Sequence, residues 1–149
     1  MSEERLARLG ARCYRIDRGG DITFHGPGQI VGYPILDLER IGIGLRDYIA
    51  ALEQAVIDAV AHYGVAAGRI AGASGVWIDA AGTRPRKICA VGVRSSRYVT
   101  MHGFALNVST DLRYFDHINP CGFTDRGVTS LERETGRRVS IAEVKELLV

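Results

Sequence analysis

Cys121 stands between Pro120 and Gly122, in a run, Asn119-Pro120-Cys121-Gly122, whose composition is that of a tight turn presenting its side chain. Thiolates, not thiols, are nucleophiles. An ordinary cysteine, with a pKa of about 8.5, is only a few per cent thiolate at neutral pH. Lowering that pKa by ~2 takes about 2.7 kcal/mol of differential stabilisation. One desolvated ammonium within ~4 Å supplies energy of that order. Lys87 is the candidate ammonium, because it begins an otherwise apolar strand, Ile88 to Val93. The alternative is a turn cysteine and a strand-end lysine, both on the surface. His25 and His102 each precede a glycine and could act as a base or orient a carbonyl. Either could equally be a hydrogen-bonded structural histidine. Backbone amides near Gly92, Gly103 and Gly122 are candidates for an oxyanion hole.

A second concentration of unusual residues is Arg18-Gly19-Gly20-Asp21-Ile22-Thr23-Phe24-His25-Gly26-Pro27-Gly28-Gln29. Glycines let the backbone approach a ligand, and Pro27 pins one φ between Gly26 and Gly28. A loop both permissive and pinned suits a binding site. The plainer reading is a glycine-rich hairpin tip with a solvated histidine. The loop is neither a Walker A nor a G-x-G-x-x-G motif, so nucleotide binding has no direct support.

These residues need a scaffold, and 149 residues with 46% hydrophobic and 24% charged content make one globular domain. No apolar run approaches the length of a membrane span, and Met1-Ser2-Glu3-Glu4-Arg5 lacks a signal-peptide core. A soluble, cytoplasmic protein is expected. Cys13, Cys89 and Cys121 are odd in number and form no C-x-x-C pair, which argues for free thiols and against zinc. A formal charge of +2 argues against nucleic acid. Two basic clusters, Arg5, Arg8, Arg12, Arg15 and Arg18, then Arg84, Arg86 and Lys87, read as solvated faces or as a dock for an acidic partner protein.

Periodicity supplies the elements. Glu3–Leu9 is predicted as a short helix ending at Gly10, and Cys13–Ile16 as a strand entering the glycine-rich loop. Ile30–Leu36 reads as a strand made edge-like or bulged by Pro34. Leu45, Tyr48, Ile49, Leu52, Val56, Ala59, Val60 and Tyr63 recur at helical spacing within Gly44–Tyr63, a core stripe closed by Gly64. Gly75–Ile78 and Lys87–Arg94 form a hairpin about the turn Asp79–Thr83. Tyr98–Met101 and Phe104–Val108 are strands flanking His102-Gly103. Asp111–Phe115 is a helical turn, Leu131–Thr135 a helix closed by Gly136, and Ser140-Ile141-Ala142-Glu143 a capping box opening the last helix. The close-set strands predict an α+β fold, a mixed sheet with flanking helices.

Several of these runs together resemble the lipoate-biosynthesis octanoyltransferase family: Arg18–His25 with Gly26-Pro27-Gly28-Gln29, Tyr33–Leu38, Gly75-Val76-Trp77, Lys87–Arg94, Met101–Asn107, Asn119–Gly122 and Gly127–Leu131. They follow one another collinearly along nearly the whole chain. The resemblance implies the fold of the biotin and lipoate protein ligase catalytic domain. It implies transfer of octanoate from octanoyl-acyl carrier protein to a lysine of lipoyl domains, those of 2-oxoacid dehydrogenase complexes and of the glycine cleavage H protein. Cys121 would form the acyl thioester. Lys87 would lower its pKa and later help deprotonate the acceptor lysine. Arg18, Gly19, Gly20, Asp21, Ile22, Thr23, Phe24 and His25, with Ala90, Val91, Gly92, Gly103, Phe104 and Ala105, would line the acyl site, and His102 is a candidate accessory group. No cofactor and no metal is implied, because thioester-for-thioester exchange is near energetic balance without ATP.

Members of the family carry several tens of residues before the point where this chain begins, including sheet strands. The chain is therefore expected to be a catalytic domain over 1–149 that lacks its N-terminal strands. Two rival readings use the same residues: an ATP-dependent lipoate or biotin ligase-like enzyme, which needs no cysteine nucleophile, and a non-catalytic module that holds an acyl chain or a carrier protein. A structural fragment without activity is the plainest alternative.

Overall fold

A computed structural model describes residues 3–118 and 126–148. The chain runs α1 (Glu3–Arg8), β1 (Gln29–Gly32), α2 (Leu38–Ile41), α3 (Leu45–Ala61), β2 (Ala67–Ile70), β3 (Ala73–Ile78), β4 (Arg86–Ser96), β5 (Val99–Asn107), a 3-10 turn (Leu112–His117), β6 (Gly127–Val128), α4 (Leu131–Thr135) and α5 (Ile141–Glu146). The sheet order is β1-β5-β4-β3-β2, antiparallel throughout, with β6 added parallel to the start of β4. The expected mixed sheet with flanking helices is present.

Helix α3 follows the predicted stripe. Tyr48, Leu52, Val56 and Val60 recur every four residues, all buried, and meet Val76, Ile78, Cys89, Val91, Leu106 and Val108 from the sheet. Each such side chain taken from water contributes roughly 1.5–3 kcal/mol. Leu45 opens the helix but stays 40% exposed, outside that stripe. Glu53 is the polar member of the helix interior. Its carboxylate accepts from Gly75 N–H at 2.8 Å and pairs with Arg69 at 3.0 Å, tying α3 to both β2 and β3.

The β4–β5 hairpin turns through Arg97 (φ 48°) and Tyr98 (φ 65°), the left-handed pair of a two-residue type I′ connection. Strand β5 then runs unbroken through His102-Gly103, where two separate strands were expected. His102 itself sits at φ 62°, an uncommon conformation in the middle of a strand.

Two other expectations change. Cys13–Ile16 is not a strand: it has no ladder neighbour among the described residues, and Tyr14 and Ile16 are 71% and 52% exposed. Strand β1 stops at Gly32, because Pro34 has no N–H to continue the ladder. Past that point Leu36 C=O accepts from Thr100 N–H at 2.9 Å, and Asp37 bridges Val99. Ser140 opens the last helix as predicted, its Oγ accepting from Glu143 N–H at 3.4 Å.

In the middle of the sheet Gly92 of β4 faces Gly103 of β5. A Cβ on Gly103 would stand 2.1 Å from the Gly32 carbonyl oxygen and 3.0 Å from Pro34 Cδ, so backbone occupies the space of a side chain. Gly103→Ala is expected to destabilise the fold by about 2 kcal/mol or more, as overpacking does. Chemical denaturation with an unchanged slope and a lowered midpoint measures this; an unmoved midpoint would show that the strands yield freely.

Candidate active site

Alternation along β4 and β5 sorts the residues expected at the acyl site. Ala90 pairs with Ala105 and Gly92 with Gly103, so these four small residues share one face of the sheet. Val91 pairs with Phe104 on the other face, where Val91 is buried in the core and Phe104 packs against it.

The loop Arg18–His25 lies against the small-residue row. Gly19 N–H donates to Val93 C=O at 3.1 Å, beyond the point where β3 stops pairing with β4. A Cβ on Gly92 would stand 2.7 Å from Gly19 O and 3.0 Å from Arg18 Cδ, so the loop rests directly on the strand. The Arg18 guanidinium folds back on its own loop, donating to Gly19 C=O at 2.9 Å and Asp21 C=O at 2.5 Å. Asp21 Oδ1 accepts from Ile22 N–H at 2.7 Å. The other end of the loop is pinned by Phe24, stacked on Tyr114 with ring centroids 4.7 Å apart and edge-on to Phe115 at 5.6 Å.

A chain of polar contacts leads inward from the loop. His25 Nδ1 lies 3.2 Å from Gln29 Oε1. Gln29 Nε2 donates to Phe24 C=O at 2.9 Å and to Asn107 Oδ1 at 2.8 Å. Buried Asn107 donates through Nδ2 to Thr129 C=O at 3.0 Å. Thr129 N–H donates to Lys87 C=O at 2.9 Å, and its hydroxyl donates to Glu134 Oε1 at 2.5 Å. Glu134 closes the chain on Arg86, which donates from Nε at 2.7 Å and from Nη2 at 2.5 Å.

The hydrogen bond from Arg86 holds the Glu134 carboxyl below its ordinary pKa, with a smaller contribution from the Thr129 hydroxyl. A carboxylate so depressed stabilises the fold fully above the ordinary glutamate range, about pH 4.3, and loses that contribution as pH falls through its lower folded value. Glu134→Gln is therefore expected to lower the melting temperature at pH 7, by several degrees for a domain of this size. The difference from wild type should shrink as pH falls below the ordinary glutamate range and vanish once the folded-state carboxyl is protonated. A gap that persists unchanged in acid would place the effect in packing.

Lys87 is half-buried on β4 opposite Trp77 of β3. Its Nζ lies 4.6 Å from the centre of the Trp77 ring, and its Cε would be 3.4 Å from a Cβ on Gly75. Arg126 approaches the same ring at 5.4 Å. Cys121 and the Asn119–Gly122 turn lie outside the described residues, as does Gly122 among the three oxyanion candidates; Gly92 and Gly103 are ladder partners. The described chain on either side of Cys121 is anchored at this site. Tyr114 and Phe115 pack on Phe24, and β6 pairs Gly127 with Arg86 and Val128 with Lys87. Of the other thiols, Cys13 is exposed and Cys89 is fully buried, where desolvation pushes its pKa up. Among the described residues no His, Cys, Asp and Glu group is placed to hold a metal ion, and no helix is long and apolar enough to cross a membrane.

Gln29, Asn107 and Thr129 lie within the runs that carry the resemblance, but nothing in those runs assigns them a contact, and Glu134 lies outside the runs altogether.

A mixed sheet with flanking helices in this order is a fold shared with lipoate and biotin protein ligases. A lipoate-protein ligase A solved with bound ATP superposes with a TM-score of 0.69 at 17% identity, over 99% of this chain and 60% of that one. The biotin protein ligase from Aquifex aeolicus superposes with a TM-score of 0.60 at 18% identity, over 81% and 49%. At such identities the likeness speaks for the fold alone. Sequence carries it further: residues 1–149 match the lipoyl protein ligase A/B catalytic domain, and the chain belongs to that family. An octanoyltransferase from Bacteroides fragilis (strain YCH46) is 63% identical over 148 residues, 99% of this chain. The chain spans about two thirds, 67%, of that enzyme's length.

Proposed function

We infer that this chain is the catalytic region of an octanoyltransferase of protein lipoylation. One observation carries the reading: 63% identity to an enzyme of that name along 99% of the chain. The donor is octanoyl-acyl carrier protein. The Cys121 thiolate attacks the donor's thioester carbonyl, forming a new carbon–sulfur bond and releasing the carrier's thiolate. The acceptor, a lysine of a lipoyl domain, then attacks the acyl-cysteine. Its nitrogen forms the amide bond, Cys121 leaves as thiolate, and the ammonium proton passes to a base. A lysine amine with a pKa near 10.4 is protonated at neutral pH, so a base is needed. Lys87 takes that role: its ammonium favours the Cys121 thiolate before the first step, gives its proton to the departing carrier thiolate, and is then the neutral amine that accepts the proton of the acceptor lysine.

The octanoyl chain lies along the row Ala90, Gly92, Gly103 and Ala105, a reading supported by the small side chains of that row and by the loop Arg18–His25 held against it. Burying an eight-carbon tail there contributes roughly 5 kcal/mol at ~0.8 per CH₂. Two substrates using one acyl-enzyme give ping-pong kinetics.

The test is incubation with octanoyl-acyl carrier protein and a lipoyl domain, with ATP absent. The lipoyl domain should gain one octanoyl mass on its lysine. Transfer that requires ATP and free octanoate would instead assign an adenylating ligase, and octanoyl binding without transfer would assign an acyl-binding module.

A further inference from the structure

We propose that Asp17 is a positioning residue that clasps the three segments of the acyl site into one unit. This rests on the acyl-site reading above. Asp17 immediately precedes the loop Arg18–His25. One of its carboxylate oxygens pairs with Arg94, two residues beyond Gly92 on β4. The other lies 3.0 Å from Nε2 of His102, the residue immediately before Gly103 on β5. Strands β4 and β5 therefore each send one side chain to a carboxylate carried at the start of the loop.

An ionised carboxylate only accepts, so the His102 proton in this contact is on Nε2. His102 holds its ring there from a backbone at φ 62°, and the ring meets Tyr33 edge-on with centroids 6.4 Å apart. Non-glycine residues keep such a conformation where surrounding contacts over-determine it. One hydrogen bond continues the clasp into the loop, from Gly19 N–H to Val93 C=O at 3.1 Å.

The Asp17 and Arg94 side chains are 54% and 46% exposed. Ion pairs so open to water add little to global stability. What the clasp does is local: it fixes the register of the loop over Gly92. Its loss should be felt by the acyl donor and not by the core.

Hydrogen exchange and steady-state kinetics of Asp17→Asn test this together. Exchange of the Gly19 amide and its loop neighbours should rise ~10-fold or more, while amides of β4 and α3 keep their protection, as expected for local opening. KM for octanoyl-acyl carrier protein should rise ~10-fold with kcat within ~2-fold, the scale of one charge-assisted hydrogen bond. Alkylation of Cys121 by iodoacetamide should keep its rate and pH profile. His102→Gln should reproduce the effect, and the double variant should be no worse than the worse single one, because both remove the same contact. Unchanged loop exchange and KM in Asp17→Asn would overturn the proposal. So would a loss of protection across the whole sheet. Should Asp17→Asn not fold, the wide role would be structural and the proposal falls, unless Arg94→Gln, which leaves the carboxylate in place, loosens the loop alone. If the wild type transfers no octanoate, the functional reading fails while the exchange measurement still decides the clasp.

Discussion

Mixed with octanoyl-acyl carrier protein, the wild-type chain should gain one octanoyl group by intact mass, and Cys121→Ser should gain none. The size of this effect follows from chemistry. A serine hydroxyl has no accessible anion at neutral pH, and the lysine that suffices to ionise a thiol cannot ionise an alcohol. Enzymes stripped of their nucleophile commonly lose several orders of magnitude in kcat, and here ~10³-fold or more is expected. The measurement separates Cys121 from the other thiols, because Cys89 is sealed in the core and Cys13 lies on the exposed segment before the loop. An adduct retained on Cys121→Ser would remove the covalent mechanism. An adduct that moves to Cys13 would show that exposure alone, and no built site, governs acylation.

Lys87→Ala carries the second largest effect. The rate of Cys121 alkylation, followed against pH, should show its midpoint about two pH units higher than in wild type. At neutral pH both alkylation and acyl transfer should fall by roughly two orders of magnitude. Lys87 is well suited to this. Its ammonium stands over the Trp77 ring, with its stem lying along Gly75, and its carbonyl holds Thr129 at the far side of the Cys121 segment. Trp77 is 2% exposed, so the charge sits against an apolar wall. Field strength rises in such surroundings because water screens less. An unchanged alkylation profile in Lys87→Ala would take the lysine out of that role, and loss of transfer alone would leave it only as base for the acceptor amine.

How much of this could be read from the sequence depends on whether each feature is local. Helix α3 was legible because its contacts repeat every four residues along one stretch. Strand β4 was legible because Ile88 to Val93 is an unbroken apolar run bounded by Lys87 and Arg94. Strand β2 was not: Ala67-Gly68-Arg69-Ile70 has no strand-like composition, and exists by pairing with β3 and by the Arg69–Glu53 contact. Strand β6 is two residues long and is defined wholly by a parallel partner some forty residues away. Cys13–Ile16 shows the converse error, a strand-like composition with no neighbour to pair with. The site divides in the same way. Lys87, His25 and His102 announce themselves by type and by the glycines beside them. Asp17, Asn107 and Thr129 do not, since the contacts that tie each to the site run to partners 22 to 85 residues distant.

Strand β4 carries Lys87 near its start, Ala90 and Gly92 along its middle and Arg94 near its end. At ~3.3 Å per residue, those seven steps span about 23 Å of a single extended chain. That strand works as a straightedge. The proposed base, floor and loop anchor are graduations on that one strand, paired on one side with β5 from Cys89 to Ser96. Thermal motion of the surrounding loops leaves the spacing of those marks unaltered. The one adjustable dimension of the site is its height above the sheet, set by how closely the glycine-rich loop is held down.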